Sequence, residues 1–453
     1  MSLAPYRAAI SGLDMTQRLV TVLLLCVALL NGALFLLQPA AKSEIVFDHT
    51  RNMILGEGGD DSWGVMDVAI DQYRQAPDVP LYSELFFKRH YRFQYPPSSL
   101  FALHALRLAG HDRVRVNDDT KFAPWPPIND IVGWLFVIVT AVASWAILET
   151  GLRRQPGFVD RRRLRLIRLV LVAALTVTFY PVVKAYTLGQ IQVWINALFA
   201  LALLCWLWGL RPLGGVLIGI ICLMKPHYGL LFVWALFRRE WSFLIWGAAT
   251  TVAGLAISVH VFGLANHLDY VKVLQFLSQH GEAYYPNQSV NGLLNRLMGI
   301  WDPRFINLDI PAGKFPPFTP LVYGLTLASS IALILYGLLR RAVPEERPRD
   351  FARAALCLTM ASPIAWEHHY GILLPIFALL AVEYAHSRTA TILLAIAYAL
   401  VANFFAVTQL LAPTLFNPLQ SYVFAGALIL LALLHPQAHE PWSFARRRVA
   451  IGT

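Results

Sequence analysis

The segment Trp366-Glu367-His368-His369 places a carboxylate and two imidazoles inside apolar sequence. Carboxylates and imidazoles exchange protons and form hydrogen bonds, and they are costly to bury in hydrocarbon without a partner. A polar cluster at such a position therefore faces a cavity or a partner group. We expect the chemistry of this chain to be centred near this segment.

Five further polar motifs interrupt the apolar sequence and are candidates for the same site. They are Gly59-Asp60-Asp61, Phe93-Gln94-Tyr95-Pro96-Pro97, Thr187-Leu188-Gly189-Gln190-Ile191-Gln192, Lys225-Pro226-His227 and Asn287-Gln288-Ser289, together with the Ser362-Pro363 step before the first cluster. Whether these motifs meet depends on the elements that carry them.

The composition is that of a membrane protein. Of 453 residues, 57% are hydrophobic and 14% are charged, and the mean hydropathy is +0.53. Apolar runs recur at lengths near the ~17–25 residues that cross a bilayer: 17–38, 128–148, 191–209, 242–263, 318–339, 389–411 and 421–435. The first run carries no cleavage site for a signal peptide. An all-α polytopic membrane fold is predicted.

The net charge of +10 has a distribution that argues against a nucleic-acid partner. Arginines crowd short loops between the apolar runs, which is the positive-inside pattern: Arg153, Arg154, Arg161, Arg162, Arg163, Arg165, Arg168, Arg211, Arg238, Arg239, Arg340, Arg341, Arg347, Arg349, Arg353, Arg446, Arg447 and Arg448. With Arg7 and Arg18 also inside, this pattern predicts that both termini face the cytoplasm. The four cysteines fall in apolar runs without metal-type spacing.

Two apolar stretches, 213–237 and 351–385, have arginine at both ends, so a single crossing would violate the charge rule. Each is divided by a proline, at Lys225-Pro226 and at Ser362-Pro363, and proline disrupts a helix interior. We predict two V-shaped pairs of short helices whose tips point outward. With the other runs they make about 12 membrane helices, some short or broken, in one domain over 1–453.

Two large external loops follow, at 39–127 and 264–316. In the first loop, Trp63, Met66, Ile70 and Tyr73 recur at helical spacing opposite Asp67, Asp71 and Arg74. This spacing predicts an amphipathic helix at the headgroup level. A second short helix, Ser98 to Leu108, is predicted after Tyr95-Pro96-Pro97.

This topology puts all of the polar motifs on the external side. One-sided convergence predicts a single active site at the outer interface, whereas a transporter spreads polar groups along a path through the bilayer. Paired discontinuous helices are nevertheless typical of transporters, so a transporter or flippase of lipid-linked sugars is the alternative.

In order, the motifs resemble those of the polyprenyl-phosphate-dependent glycosyltransferases of family 87, in the GT-C superfamily. The pattern is an acidic residue before an amphipathic helix, then Tyr-Pro-Pro, Gly-Gln-x-Gln, Lys-Pro, Asn-Gln-Ser-x-x-Gly-x-x-x-Arg and Ser-Pro-x-x-Trp-Glu-His-His, spanning roughly 45–410. Two departures are visible. The family's tyrosine is absent from Asp61-Ser62-Trp63-Gly64-Val65-Met66, and Glu367 stands where the family has aspartate.

The resemblance implies a sugar donor linked to polyprenyl phosphate, and an inverting transfer in which a carboxylate deprotonates the acceptor hydroxyl. In GT-C enzymes that base is an aspartate of the first external loop. Asp61 matches best because it directly precedes the predicted helix, with Asp60 and Asp48 as the other candidates. An aspartate before a helix is also a common N-cap.

The resemblance further implies cations or hydrogen-bond donors for the leaving phosphate. The candidates for phosphate or acceptor binding are Lys225, His227, His368, His369 and Arg296. Lys225 could instead snorkel to the interface. Glu367 could pair with an imidazole or act as a second base. Adjacent histidines on a regular helix cannot easily chelate one ion, so no metal and no cofactor are expected.

Amide and aromatic side chains complete the predicted site. Gln190 and Gln192 could bind sugar hydroxyls or bond between helices. Tyr95 could stack on sugar or anchor at the interface. Asn287 and Gln288 are expected to line the site. The sequence therefore predicts a glycosyltransferase of a bacterial plasma membrane, with its active site facing the periplasm. Its partners would be a polyprenyl-phosphate-linked sugar (mannose or arabinofuranose class), a lipid or glycan acceptor and membrane lipid.

Overall fold

The computed structural model describes residues 15–37, 45–110, 128–156, 158–302, 315–340, 343 and 346–435. The predicted inside positions of Arg7, Arg341 and Arg446 to Arg448 lie outside these residues. The α-helices, numbered in chain order, are α1 (Met15–Leu37), α2 (Val46–Leu55), α3 (Asp61–Gln75), α4 (Phe101–Leu108), α5 (Ile128–Arg153), α6 (Arg162–Val177), α7 (Tyr180–Thr187), α8 (Gln192–Trp208), α9 (Arg211–Cys222), α10 (Leu230–Arg238), α11 (Trp241–Phe262), α12 (Leu264–His280), α13 (Val290–Met298), α14 (Pro320–Leu339), α15 (Arg347–Ala361), α16 (Leu373–Glu383), α17 (Arg388–Ala402) and α18 (Tyr422–Leu433).

The predicted helical class is confirmed. The β-pairing within the described residues is one isolated bridge, between Asn287 and Trp366. Four helices are long and apolar enough to cross a membrane: Met15–Leu37, Asn129–Arg153, Trp241–Phe262 and Pro320–Leu339. Their exposed faces carry large apolar side chains such as Leu29, Leu135 and Val252, as expected of helices in hydrocarbon.

A fifth span is broken. It consists of α6 and α7, which meet at an angle of 56°. Pro181 lies in the first turn of α7, where its missing N–H costs nothing, and the residue before a proline is disfavoured in a helix. The other apolar helices are shorter: Gln192–Trp208, Arg211–Cys222, Arg388–Ala402 and Asn417–Leu433. The described residues thus hold four or five candidate spans, and the expected count of about 12 is not confirmed.

Both predicted helix breaks are present. The helix α9 ends at Cys222, and a short 3-10 helix, Pro226–Gly229, leads into α10. In the second pair, α15 ends at Ala361 and a 3-10 helix, Glu367–Ile372, leads into α16. We call the segments 223–229 and 362–372, which interrupt the α-helices, the first tip and the second tip.

In the first predicted external loop, α3 covers the expected amphipathic segment, but its polar face is partly buried. The Asp67 side chain is fully buried, and its Oδ1 accepts a hydrogen bond from Arg107 Nη2 at 3.2 Å. The second short helix begins as a 3-10 turn, Pro97–Leu100, and continues as α4. The helix α2, which precedes α3, packs against α7.

Several arginines of the positive-inside pattern form buried ion pairs. The Arg238 guanidinium is buried and donates from Nε to Asp350 Oδ2 at 2.8 Å. The Arg168 guanidinium is buried against Glu149, with Nε 2.6 Å from Oε1. These buried pairs join neighbouring helices at their ends.

Candidate functional site

A cavity of about 680 Å³ lies between α3, α12, α14 and the two tips. Segments far apart in sequence contribute its polar side chains. They include Asp61, Arg92, Gln94, Tyr95, Gln190, Lys225, His227, Trp366, His368 and His369. Seven of the predicted site residues therefore meet at one cavity: Asp61, Tyr95, Gln190, Lys225, His227, His368 and His369.

In the opposite part of the cavity, apolar side chains are interspersed with a few hydroxyl groups, such as those of Thr326 and Ser330. The helices α12 and α14 line it, with Leu274 and Leu277 from the first and Leu327 and Ile334 from the second. The helix α14 is one of the candidate membrane spans. A molecule with a polar head and a long apolar tail matches this division, because its tail would leave the polar side chains along a helix suited to hydrocarbon.

The N-terminus of α3, which carries Asp61, is docked on the turn that follows α7. The amide of Gly59 donates to Thr187 O at 2.7 Å, and the amide of Asp61 donates to Leu188 O at 2.8 Å. Gly189 has φ +67°, and a Cβ there would lie 1.9 Å from the carbonyl oxygen of Gly59. Only glycine fits this left-handed position in such close contact. The turn thereby sets the location of Asp61.

The Asp61 side chain is exposed to the cavity at the first residue of α3. Its Oδ2 accepts a hydrogen bond from Gln190 Nε2 at 2.9 Å. Enclosure by protein raises the pKa of Asp61, and the neighbouring Asp60 raises it further, while the hydrogen bond from Gln190 and the charge of Lys184 oppose the shift. A carboxylate whose pKa is raised accepts a proton more readily than an ordinary aspartate, as a general base requires.

The first tip presents Lys225 to the cavity. Its Nζ donates to Gln192 Oε1 at 2.6 Å, and Gln192 Nε2 donates in turn to Asn196 Oδ1 at 2.8 Å. Gln192 is buried, so it orients the ammonium group from behind. Lys225 Nζ carries further protons that are available to an anion in the cavity.

The second tip presents two histidines whose rings lie 4.8 Å apart and nearly perpendicular. His368 is buried, and within the described residues its Nδ1 has no hydrogen-bond partner. His369 is half-buried. Together with Lys225 and His227 of the first tip, these imidazoles form a group suited to binding phosphate oxygens.

Glu282, which the sequence analysis missed, joins three parts of the site. Its Oε1 accepts from Arg92 Nη1 at 2.7 Å and its Oε2 accepts from Trp366 Nε1 at 2.6 Å. Burial raises the pKa of Glu282, although the Arg92 guanidinium and the Trp366 hydrogen bond oppose the shift. The carboxylate thus links the first external loop to the second tip.

Glu367 does not line the cavity. Its Oε2 accepts from Lys184 Nζ at 2.6 Å and from the Tyr180 hydroxyl at 3.1 Å, in a buried cluster beneath the second tip. Successive side chains of this 3-10 helix point in different directions, so Glu367 faces α7 while His368 and His369 reach the cavity.

Arg296, Asn287 and Gln288 also lie behind the cavity. Arg296 Nη2 donates to Asn287 O at 2.8 Å, and Asn287 Nδ2 donates to Pro363 O at 3.0 Å. Gln288 Nε2 donates to Gln420 O at 2.8 Å. All three side chains are buried, and they brace the strand-like segment before Trp366.

Asp60 and Asp48 are not among the residues that line the cavity. The Asp60 carboxylate lies close to Gly64, where a Cβ would be 3.3 Å from Oδ2. Asp48 lies in the first turn of α2. Within the described ranges, no group of three or more His, Cys, Asp or Glu side chains is arranged to hold a metal ion.

Lys184, Arg92 and Ser62 also belong to the site or its support, and sequence reasoning missed them. Lys184 had a signal, because an ionisable residue inside a predicted membrane helix indicates a functional or structural partner. Arg92 adjoins the motif that contains Tyr95, but an arginine in an external loop is unremarkable. Ser62 and Glu282 carried no signal.

The chain is similar in sequence to known proteins. Residues 93–363, more than half of the chain, match the model of glycosyltransferase family 87. The chain is 24% identical over 305 residues to a polyprenol-phosphate-mannose-dependent alpha-(1-2)-phosphatidylinositol pentamannoside mannosyltransferase of Mycolicibacterium smegmatis. That match covers 67% of this chain and 62% of the relative, so the chain spans less than two thirds of the relative's length. No solved structure matches the chain.

Proposed function

The chain belongs to glycosyltransferase family 87, and from this membership and the cavity we propose that it is a membrane glycosyltransferase that uses a polyprenyl-phosphate-linked sugar. The observation that carries the proposal is one cavity that holds Asp61 on one wall, Lys225 and the histidines on another, and an apolar groove between α12 and α14. A donor with a sugar, a phosphate and a polyprenyl tail needs these three surfaces.

The donor phosphate would bind between the two tips. Lys225 supplies a charge, and His227, His368 and His369 supply hydrogen-bond donors for the oxygens on which charge accumulates. The tail would follow Leu274 and Leu327 along the apolar groove toward α14. The sugar would then lie between the phosphate and Asp61.

Asp61 would act as the general base of an inverting transfer. The acceptor oxygen attacks the anomeric carbon, the bond from that carbon to the phosphate oxygen breaks, and the acceptor's proton moves to Asp61. The leaving polyprenyl phosphate keeps the bonding electron pair, and the tips stabilise its charge. Asp61 then returns its proton to solvent.

Substrates and location form the finer part of the proposal. The sugar is of the mannose or arabinofuranose class, and mannose is favoured because the relative's name specifies a polyprenol-phosphate-mannose donor. The acceptor is an envelope lipid or glycan. The enzyme would be a single GT-C-like domain of about 12 helices in a bacterial plasma membrane, with the cavity facing outward.

The test is transfer from radiolabelled polyprenyl-phosphate-mannose to extracted envelope lipids by the purified full chain. Asp61→Asn removes the base without changing the side chain's size, and kcat should fall by about 10²–10⁴-fold. Asp48→Asn is the matched control and should keep kcat within about twofold, as should Asp60→Asn. Full activity in Asp61→Asn would overturn the assignment of the base. Movement of the labelled lipid across vesicles without product would indicate the transporter alternative.

A further inference from the structure

The hydrogen bonds around Gln190 form a closed group behind Asp61. Gln190 Oε1 lies 2.8 Å from Ser62 Oγ and 2.8 Å from the Tyr95 hydroxyl, and these hydroxyl oxygens are themselves 2.8 Å apart. Ser62 Oγ also accepts from the amide of Ile191 at 3.0 Å. Ser62 and Gln190 are buried.

This group determines which way the carboxamide of Gln190 points. The two hydroxyls have two protons to donate, and when both are donated within this group of three oxygens at least one is directed at Oε1. The amide nitrogen must then face Asp61, which it reaches at 2.9 Å. Gln190 thus occupies Oδ2 of Asp61, a residue that lines the cavity, and leaves Oδ1 to accept the proton.

We propose that Gln190 is a positioning residue for the base, and that Ser62 and Tyr95 act through it by holding its carboxamide in one orientation. This inference rests on the proposed function, because it requires Asp61 to be the base. It is an alternative to sugar binding, which is one of the two roles that the sequence predicts for each of Gln190 and Tyr95. A carboxylate held at one oxygen cannot rotate away from the acceptor hydroxyl. A displacement of about 1 Å from the reactive position lowers the rate by about 10²-fold.

The inference has a consequence for pH dependence, since the hydrogen bond from Gln190 holds the pKa of Asp61 down. The other groups that act on Asp61 are Asp60 beside it, Lys184 on α7 and the Tyr95 hydroxyl. Replacing Gln190 with leucine removes the amide and leaves these other groups in place. The acid limb of the kcat profile should then move to higher pH, because Asp61 must lose its proton to act.

The experiment measures kcat, both KM values and the pH profile of transfer. Gln190→Leu should lower kcat by about 10–100-fold with little change in either KM. Gln190→Glu should move the acid limb further up in pH, because it sets a second carboxylate against Asp61. Gln72→Leu, the same change on the outer part of α3, is the matched control and should leave all values unchanged.

A paired substitution tests the role of the two hydroxyls. Tyr95→Phe or Ser62→Ala alone leaves one hydroxyl to hold Gln190 and should change kcat by less than about fivefold. The double variant should approach the loss seen in Gln190→Leu. Thermal unfolding of each purified variant checks that it is folded. If Gln190→Leu unfolds early, Gln190→Met takes its place.

The outcomes separate this inference from the proposed function. Suppose that Asp61→Asn is inactive, and that Gln190→Leu raises the donor KM without moving the acid limb of the pH profile. Gln190 then binds sugar, so this inference fails while the proposed function stands. If Asp61→Asn remains active, the assignment of the base fails first. Strictly additive effects of Tyr95→Phe and Ser62→Ala would also contradict the shared role.

Discussion

Lys184 Nζ lies 2.6 Å from Glu367 Oε2, and this buried ion pair joins the two halves of the site. Lys184 is on α7, which leads into the turn that docks Asp61. Glu367 begins the 3-10 helix that carries His368 and His369. The Tyr180 hydroxyl completes the cluster by accepting from Lys184 Nζ at 2.7 Å. The wall with the base and the wall with the imidazoles are therefore held together from beneath the cavity.

Removing one partner of this pair should destabilise the protein strongly. Lys184→Met leaves the Glu367 carboxylate buried without its cation, at a cost of about 3–5 kcal/mol in the free energy of unfolding. Lys88→Met is the control, because Lys88 pairs with Glu84 at an exposed position and should cost about 0.5 kcal/mol or less. Thermal unfolding in detergent compares the two. Equal shifts of the thermal midpoint in the two variants would show that the buried pair is unimportant. The double variant Lys184→Met with Glu367→Gln should recover part of the stability that Lys184→Met loses.

Gly189→Ala should abolish folding or activity, because the new Cβ would meet the Gly59 carbonyl oxygen at 1.9 Å in a left-handed turn. Gly209→Ala is a matched control. Gly209 has φ +77° and nothing within 4 Å of its ideal Cβ, so only the conformational cost of about 1–2 kcal/mol applies. Yield of monodisperse protein and transfer activity are the measurements. A Gly189→Ala variant as active as Gly209→Ala would show that the close approach can relax.

Lys225→Met should weaken donor binding and transfer together. Loss of the ammonium removes the charge at the first tip, and kcat/KM for the donor should fall by about 10²–10³-fold. Lys225→Arg keeps a charge and should retain part of the activity. Lys272→Met removes an exposed lysine that pairs with Asp269 and serves as the control. If polyprenyl phosphate inhibits the wild type but not Lys225→Met, then Lys225 binds the phosphate. Unchanged inhibition would contradict that role.

Because of His49, we expect the folded protein to lose stability in mild acid. Burial and the charge of Lys184 lower the pKa of His49 to about 4, from 6.5 in the unfolded chain. Its Nδ1 is hydrogen bonded to Thr187 Oγ1, so α2 is held on α7 by the neutral ring. Between these values the unfolded chain binds one more proton than the folded one. The stabilisation is therefore complete above about pH 6.5 and is lost as the pH falls toward 4.

The measurement is the thermal midpoint between pH 7.5 and pH 5 for the wild type and for His49→Gln. The variant cannot titrate at this position, so its midpoint should fall less over that range. Parallel curves for the two proteins would mean that His49 does not contribute to the acid sensitivity.

Much of the local structure could be predicted from the sequence, because it depends on local rules. Pro226 and Pro363 predicted the two helix breaks, since proline lacks the N–H that a helix interior needs. The apolar spacing of Trp63, Met66 and Ile70 predicted α3. The order of the motifs predicted the family, which the match over residues 93–363 confirms. The Tyr180-Pro181 bend obeys the same rule and was missed within an otherwise apolar run.

The tertiary structure decided which polar side chains line the cavity and which do not. Glu367 and His368 are adjacent in sequence, yet one is buried against Lys184, 183 residues away, and the other lines the cavity. Asp60 and Asp61 are also adjacent, and of the two only Asp61 lines the cavity. A motif states which side chains are present, but the direction of each depends on a backbone turn and on the partners that distant segments bring to it. Burial of a charge is tolerated only where such a partner arrives, and that is a property of the folded chain.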